Sequence, residues 1–301
     1  MSGLFCARLE QRAFISLAGD DRREFLQGLV SNDVMKLTPN AALFGAVLTA
    51  QGKFLYDFFL IERDSEFLLD VEAERAAEML KKLTMYKLRA KVTLGLAPEW
   101  MAVAAFGAGA LSALGLTETA GSAAAFAGGV AYVDPRLAEA GARLALPAEA
   151  GLDNLIAKGF EAATFETWNR MRLALGLPDG ADDLLPERGL LLEAGFDELN
   201  GVDWKKGCYM GQELTARTKY RGLIKKRLLS VSYEGAAPAP GTTILQGEAE
   251  AGEMCSGVAG LGLARIRLEA LDKPEPLLAE GKVLTPEVCA WMRLPEAEQP
   301  A

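Results

Sequence analysis

At residue 226 the sequence changes texture. From there it reads "KRLLSVSYEG", "GTTILQ", "EMCSGVAGLGLARIRLEAL" and "KVLTPEV", short β-rich runs set between Gly and Pro turns. Such runs predict strands, and a series of them predicts a small barrel or sandwich. The sequence ahead of residue 226 is mixed. "RAFISLAGDDRREFLQGLVSNDV" predicts a strand, an N-cap at Asp20 or Asp21, and an amphipathic helix with Phe25, Leu26 and Leu29 inward. "AALFGAVLTAQGKFLYDFFLIERDSEFLLDVEAE" predicts three strands, with turns at Gln51-Gly52 and around Asp64-Ser65. "AERAAEMLKKLTMYKLRAKVTL" predicts a helix carrying Met79, Leu80, Leu83 and Tyr86, then a strand. Strand, strand, helix, strand is the order of α+β layers. "GLDNLIAKGF" and "ATFETWNRMRLALGLP" add two helices, the second stopped by Gly176 and Pro178.

Half of the 301 residues are apolar, enough to bury a sizeable core. The most membrane-like stretch, residues 100–116, is built of Ala and Gly and falls short of a span. It reads as a buried strand, "MAVAAF", then a Gly turn and a short helix. The opening "MSGLFCARLEQRAF" has no apolar h-region, so neither a signal peptide nor an anchor is expected. Cys6, Cys208, Cys255 and Cys289 lie far apart with no CxxC pair, which predicts reduced thiols in a bacterial cytoplasmic protein. The chain has no histidine. Ser-His-Asp and Cys-His catalysis and His-ligated metals are therefore excluded, and any proton transfer falls to carboxylates, Lys, Tyr or Cys.

Charge is distributed unevenly. The net charge is −9, which opposes nucleic acid or an anionic membrane as the main partner. Yet Trp204 to Arg227 holds eight bases and a single acid, Glu213. In "VDWKKGCYMGQELTARTKYRGLIKKRL" the glycines 207, 211 and 222 punctuate the run as turns would. A solvated charged face is the ordinary meaning of such a run. The setting of Cys208 points further. Nearby cations lower a thiol pKa, and the thiolate is the form that attacks electrophiles or ligates soft metals. Cys6, Cys255 and Cys289 sit in plain apolar contexts and read as inert.

"KGCYMGQELTARTKYRG", with "KKRL" behind it, closely resembles the signature of the YgfZ/Iba57 group. That group is a branch of the glycine-cleavage T-protein (aminomethyltransferase) superfamily linked to iron–sulfur cluster maturation. "REFLQGLVSNDV", "TAQGKFLYDFFL" and "LALGLPDG" followed by "DLLPE" fall in the family's order, so the resemblance covers nearly the whole chain. It implies an α+β fold of three domains in a ring, with tetrahydrofolate in the central opening of relatives. Residues 1–225 would form two interleaved α/β domains and residues 226–301 a C-terminal β-barrel.

The resemblance also implies ligands. Glu193 in "LLLEAGFDELNG" lies where T-proteins place a pterin-binding glutamate. Arg217, Lys219 and Arg221 are candidates for the anionic folate tail or a partner's acids. Where T-proteins carry Gly-Gly-x-x-Asp-Asp, Lys53 replaces a glycine, Tyr56 replaces the first acid and Asp57 keeps the second, which makes Tyr56 and Asp57 candidate folate-binding residues; Cys208 replaces another aspartate. Loss of acids opposes aminomethyl transfer, which needs a base or charge stabiliser. Gain of a thiol points to iron–sulfur chemistry. The implied function is a folate-binding accessory factor in [4Fe–4S] maturation. Cys208 would be one ligand of a shared [2Fe–2S] cluster held together with an A-type scaffold protein. A folate-dependent one-carbon transferase and a tRNA-modification helper stand as alternatives.

Overall fold

The computed structural model of the chain describes residues 3–222 and 224–294. The chain divides into two compact units. One comprises Met1–Leu48, Leu55–Met171 and Asn200–Met210; the other comprises Thr49–Phe54, Arg172–Leu199 and Gly211–Ala301.

The first unit is built on two sheets. Strand Phe54–Arg63 lies beside Glu66–Glu72, which pairs antiparallel with Arg12–Ala18, and Leu43–Leu48 and Thr93–Leu96 stand at the edges. The three predicted strands are present, and Asp64 takes φ 53° in the turn between the second and third. The second sheet runs Glu161–Ala162, Phe5–Arg8, Trp100–Phe106, Ala142–Pro147, Gly129–Val133 and Ala123–Phe126. "MAVAAF" is the buried strand of this sheet, followed by the short helix Ala110–Leu114. No helix among the described residues is long and apolar enough to cross a membrane.

Period-two alternation gives each sheet two unlike faces. On the five-stranded sheet Ile15, Leu17, Leu69, Val71, Tyr56, Phe58 and Leu60 face one way, and helix Ala76–Tyr86 covers them with Met79 and Leu83. Tyr86, the last residue of that helix, is exposed. The opposite faces carry Arg12, Asp70 and Phe59 from one sheet and Tyr132 and Arg143 from the other, and these meet. Asp70 accepts from Arg12 Nε at 2.7 Å and from Arg143 Nη2 at 2.7 Å. Arg143 lies over the Phe59 ring, 4.0 Å from its centre. The two sheets of this unit therefore hold a buried, mutually neutralised charge layer, because an unpaired charge there would be prohibitively costly.

Helix Arg22–Gln27 starts at Asp21, but the Asp21 carboxylate caps no helix N–H. It accepts from the backbone of Lys91 at 2.7 Å. The tertiary contact has taken the cap.

The second unit contains a closed barrel of six strands in the order Lys226–Ser232, Leu261–Arg267, Ala249–Val258, Thr243–Gln246, Leu277–Ala279 and Lys282–Glu287. Its core includes Leu229, Val231, Ile244, Met254, Ala264 and Ile266. Closure removes the exposed edges that six short strands would otherwise present. Helix Phe165–Ala174 ends before Gly176, whose φ of 68° demands glycine. Within this unit Arg172 is buried and donates to Asp183 at 2.7 Å and to the Ser256 hydroxyl at 2.9 Å, fastening Arg172–Leu199 to the barrel.

Candidate functional site

Cys208 is the one exposed cysteine of the four. Its turn is fastened to the segment 27–36 of the same unit. Asp203 Oδ1 accepts from the backbone N–H groups of Lys205 and Lys206 at 2.7 and 3.1 Å, and its other oxygen pairs with Lys36. The Lys206 ammonium donates to the carbonyls of Gln27, Val30 and Asn32 at 2.9, 2.5 and 2.8 Å. Burial pushes the Lys206 pKa down to about 8 against the pull of Asp33 and Asp203. Past the cysteine, Met210 N–H donates to the Gly28 carbonyl at 3.0 Å. The remaining thiols differ in kind. Cys6, Cys255 and Cys289 are buried, and burial raises each thiol pKa, that of Cys255 to about 12. They stay protonated and poorly nucleophilic.

The second unit holds Glu193 on a single turn of 3-10 helix, Leu191–Ala194. It lines a small cavity of about 10 Å³ with Asp183, Leu184, Gly189, Leu190, Ala194, Leu228 and Arg265. Asp183 is occupied by Arg172 and Ser256. The Glu193 carboxylate makes no hydrogen bond or ion pair among the described residues. Burial raises its pKa, opposed by the more distant charges of Arg265, Lys226 and Lys53. A half-buried carboxylate without a donor is an acceptor for an N–H group, such as the edge of a pterin carries. Lys53, Lys226 and Arg265 were not singled out as site residues from the sequence. The signal was weak, since Arg265 looks like any polar residue alternating along a strand.

Tyr56 and Asp57 are adjacent on one strand and so point to opposite faces. Tyr56 lies under the Arg75 guanidinium, 4.3 Å from its ring centre. Burial and the nearby Glu78 raise its phenol pKa. Asp57 is 3% exposed and lies 3.8 Å from Arg12 in the charge layer between the sheets. The structure therefore separates these two residues rather than bringing them to one ligand.

The basic run also divides. Arg227 is buried against Glu198 at 2.8 Å, Lys206 is spent on carbonyls, and Lys219 pairs with Asp197. Arg217 and Arg221 are exposed and make no salt bridge among the described residues. Both lie at the end of helix Gln212–Tyr220, where cations are favoured by the helix dipole.

The fold is that of the glycine-cleavage T-proteins. The crystal structure of glycine cleavage system aminomethyltransferase T from Bartonella henselae superimposes with a TM-score of 0.75 at 17% identity, over 94% of this chain and 84% of that one. Residues 225–294 match the family described as CAF17, C-terminal beta-barrel domain. The chain belongs to the IBA57 family of iron–sulfur cluster assembly factors. It is 35% identical to the mitochondrial iron–sulfur cluster assembly factor IBA57 of Mus musculus and 34% identical to that of Homo sapiens, each match covering 89% of this chain and 79% of the relative. The Neurospora crassa homologue is 33% identical over 77% of this chain and 54% of its own length.

These relatives are named mitochondrial, which overturns the expectation of a bacterial cytoplasmic protein. Unpaired thiols report a reducing compartment and do not distinguish one such compartment from another.

Proposed function

We propose that this chain is an accessory factor for [4Fe–4S] protein maturation. It binds a reduced folate at Glu193 and lends the Cys208 thiolate to a cluster shared with an A-type scaffold protein. The cluster is cargo. The observation that carries the reading is the contrast among the thiols: three are buried and Cys208 alone stands exposed, on a turn fastened at both ends. Ligation requires Cys208 to lose its proton and donate a sulfur lone pair to iron, with no change of oxidation state. A single thiolate cannot fill a site that ordinarily takes four, so the partner must supply the rest. Folate supplies one-carbon chemistry where it is used as a substrate; here Glu193 would accept from the pterin edge, with Lys53, Lys226 and Arg265 contributing positive charge.

The test is anaerobic reconstitution of the full chain with an A-type scaffold, iron and sulfide, read by visible absorption. Cys208→Ser should abolish the absorption of the mixed complex, while Cys6→Ala, Cys255→Ala and Cys289→Ala should keep it. Equal absorption from Cys208→Ser and the unaltered chain would remove Cys208 from the cluster. Calorimetry with a stable reduced folate tests the other half: no measurable binding would leave the thiol function alone.

A further inference from the structure

We propose that Lys206 is a positioning residue for the Cys208 thiol, holding the turn in place. The inference rests on the reading of Cys208 as the metal-binding thiol. An ammonium has three protons to donate. Lys206 stands within 2.9 Å of three carbonyl oxygens, which accounts for all three. Gln27 is the last residue of helix Arg22–Gln27, and its carbonyl belongs to the set a helix end leaves without an internal partner. Val30 and Asn32 follow in the succeeding turn. A cation at this place satisfies acceptors that would otherwise turn to water, and their dipoles offset its field.

The tether has a counterpart on the other side of the cysteine, where Met210 N–H meets the Gly28 carbonyl at 3.0 Å. Both attachments fall on residues 27–32. Only Gly207, Cys208 and Tyr209 lie between them, and the Tyr209 ring centre lies 4.9 Å from the Lys206 ammonium. A loop fixed at both ends over so few residues has little freedom left, so the exposed sulfur is presented in a narrow range of positions. Lys205 is arranged differently. Its backbone N–H is held by Asp203, but its side chain is exposed.

The experiment compares Lys206→Met and Lys205→Met in the full chain, with a nitroxide on Cys208 and amide hydrogen exchange followed across residues 203–211. Lys206→Met should speed exchange at Met210 by about tenfold or more and narrow the nitroxide spectrum. Lys205→Met should change neither. Lys206→Gln, which can donate to two carbonyls without charge, should restore part of the exchange protection, and it keeps the test open if Lys206→Met fails to fold. Unchanged exchange and spectrum in Lys206→Met, or no rescue by Lys206→Gln, would overturn the proposal. None of these readouts needs iron, so they remain decisive whether or not Cys208 proves to ligate a cluster.

Discussion

Arg227 donates from Nη2 to Glu198 Oε1 at 2.8 Å, with the guanidinium almost wholly buried. Its other terminal nitrogen donates to the Leu192 carbonyl at 3.2 Å. Leu192 belongs to the 3-10 turn that carries Glu193, so the pair holds the wall of the candidate folate cavity. Removing one partner of a buried pair strands the other charge, at a cost of about 3–5 kcal/mol. Arg227→Met should lose that much in urea denaturation. Lys225→Met, two residues earlier and exposed, should lie within about 0.5 kcal/mol of the unaltered chain.

The charge layer predicts an acid limb. Burial alone would push the Asp70 carboxyl up, but Arg143 and Arg12 overrule it and hold its pKa below the usual range. A depressed folded pKa stabilises the protein above the unfolded value, about 3.9, and that contribution is lost as pH falls through the folded pKa. Asp70→Asn should lower the melting temperature at pH 7, and the gap should narrow as pH falls below about 4. Thermal melts followed by circular dichroism across pH check this. A gap independent of pH would assign the loss to packing alone.

Glu193 has the opposite sign. Its pKa is raised by burial, so ionisation in the fold costs stability as pH rises from the unfolded value, about 4.3, through the folded one. Glu193→Gln escapes that cost. The variant should melt higher than the unaltered chain at pH 7 and equal to it at low pH. It should also bind reduced folate more weakly by about 1.5–3 kcal/mol, the range of a hydrogen bond to a charged group. Calorimetry and melts together separate a ligand-binding acid from a structural one.

The exposed arginines should behave as ligand residues. Reversing Arg217 and Arg221 to Glu removes favourable interactions with a helix end, worth about 0.3–1 kcal/mol each, so the fold should survive. Binding of folate or of the acidic partner should fall by about tenfold or more, with a weaker salt dependence. Unfolding of the double variant would mark these residues as part of the fold.

Much of the architecture was legible locally. Gln51-Gly52 and Asp64-Ser65 mark turns because turn chemistry resides in the turn residues themselves, and Gly52 does take φ 83°. The barrel was legible because glycine and proline turns separate its strands, even the ten-residue Ala249–Val258. Asp21 shows where local reading stops, since the carboxylate that should cap a helix instead holds Lys91, seventy residues away.

The sequence by itself determined the strands, the mixed and all-β regions, the lack of histidine chemistry, and one cysteine set among cations. Tertiary structure decided what each charge does. Lys206, Arg227 and Lys219 look alike in a basic run, yet their partners are carbonyls at Gln27–Asn32, Glu198 and Asp197. Asp57 was a ligand candidate until the sheet turned it toward Arg12. A side chain's alternation along a strand is a local property. The partner that neutralises a buried charge comes from distant chain, and desolvation makes that partner decisive.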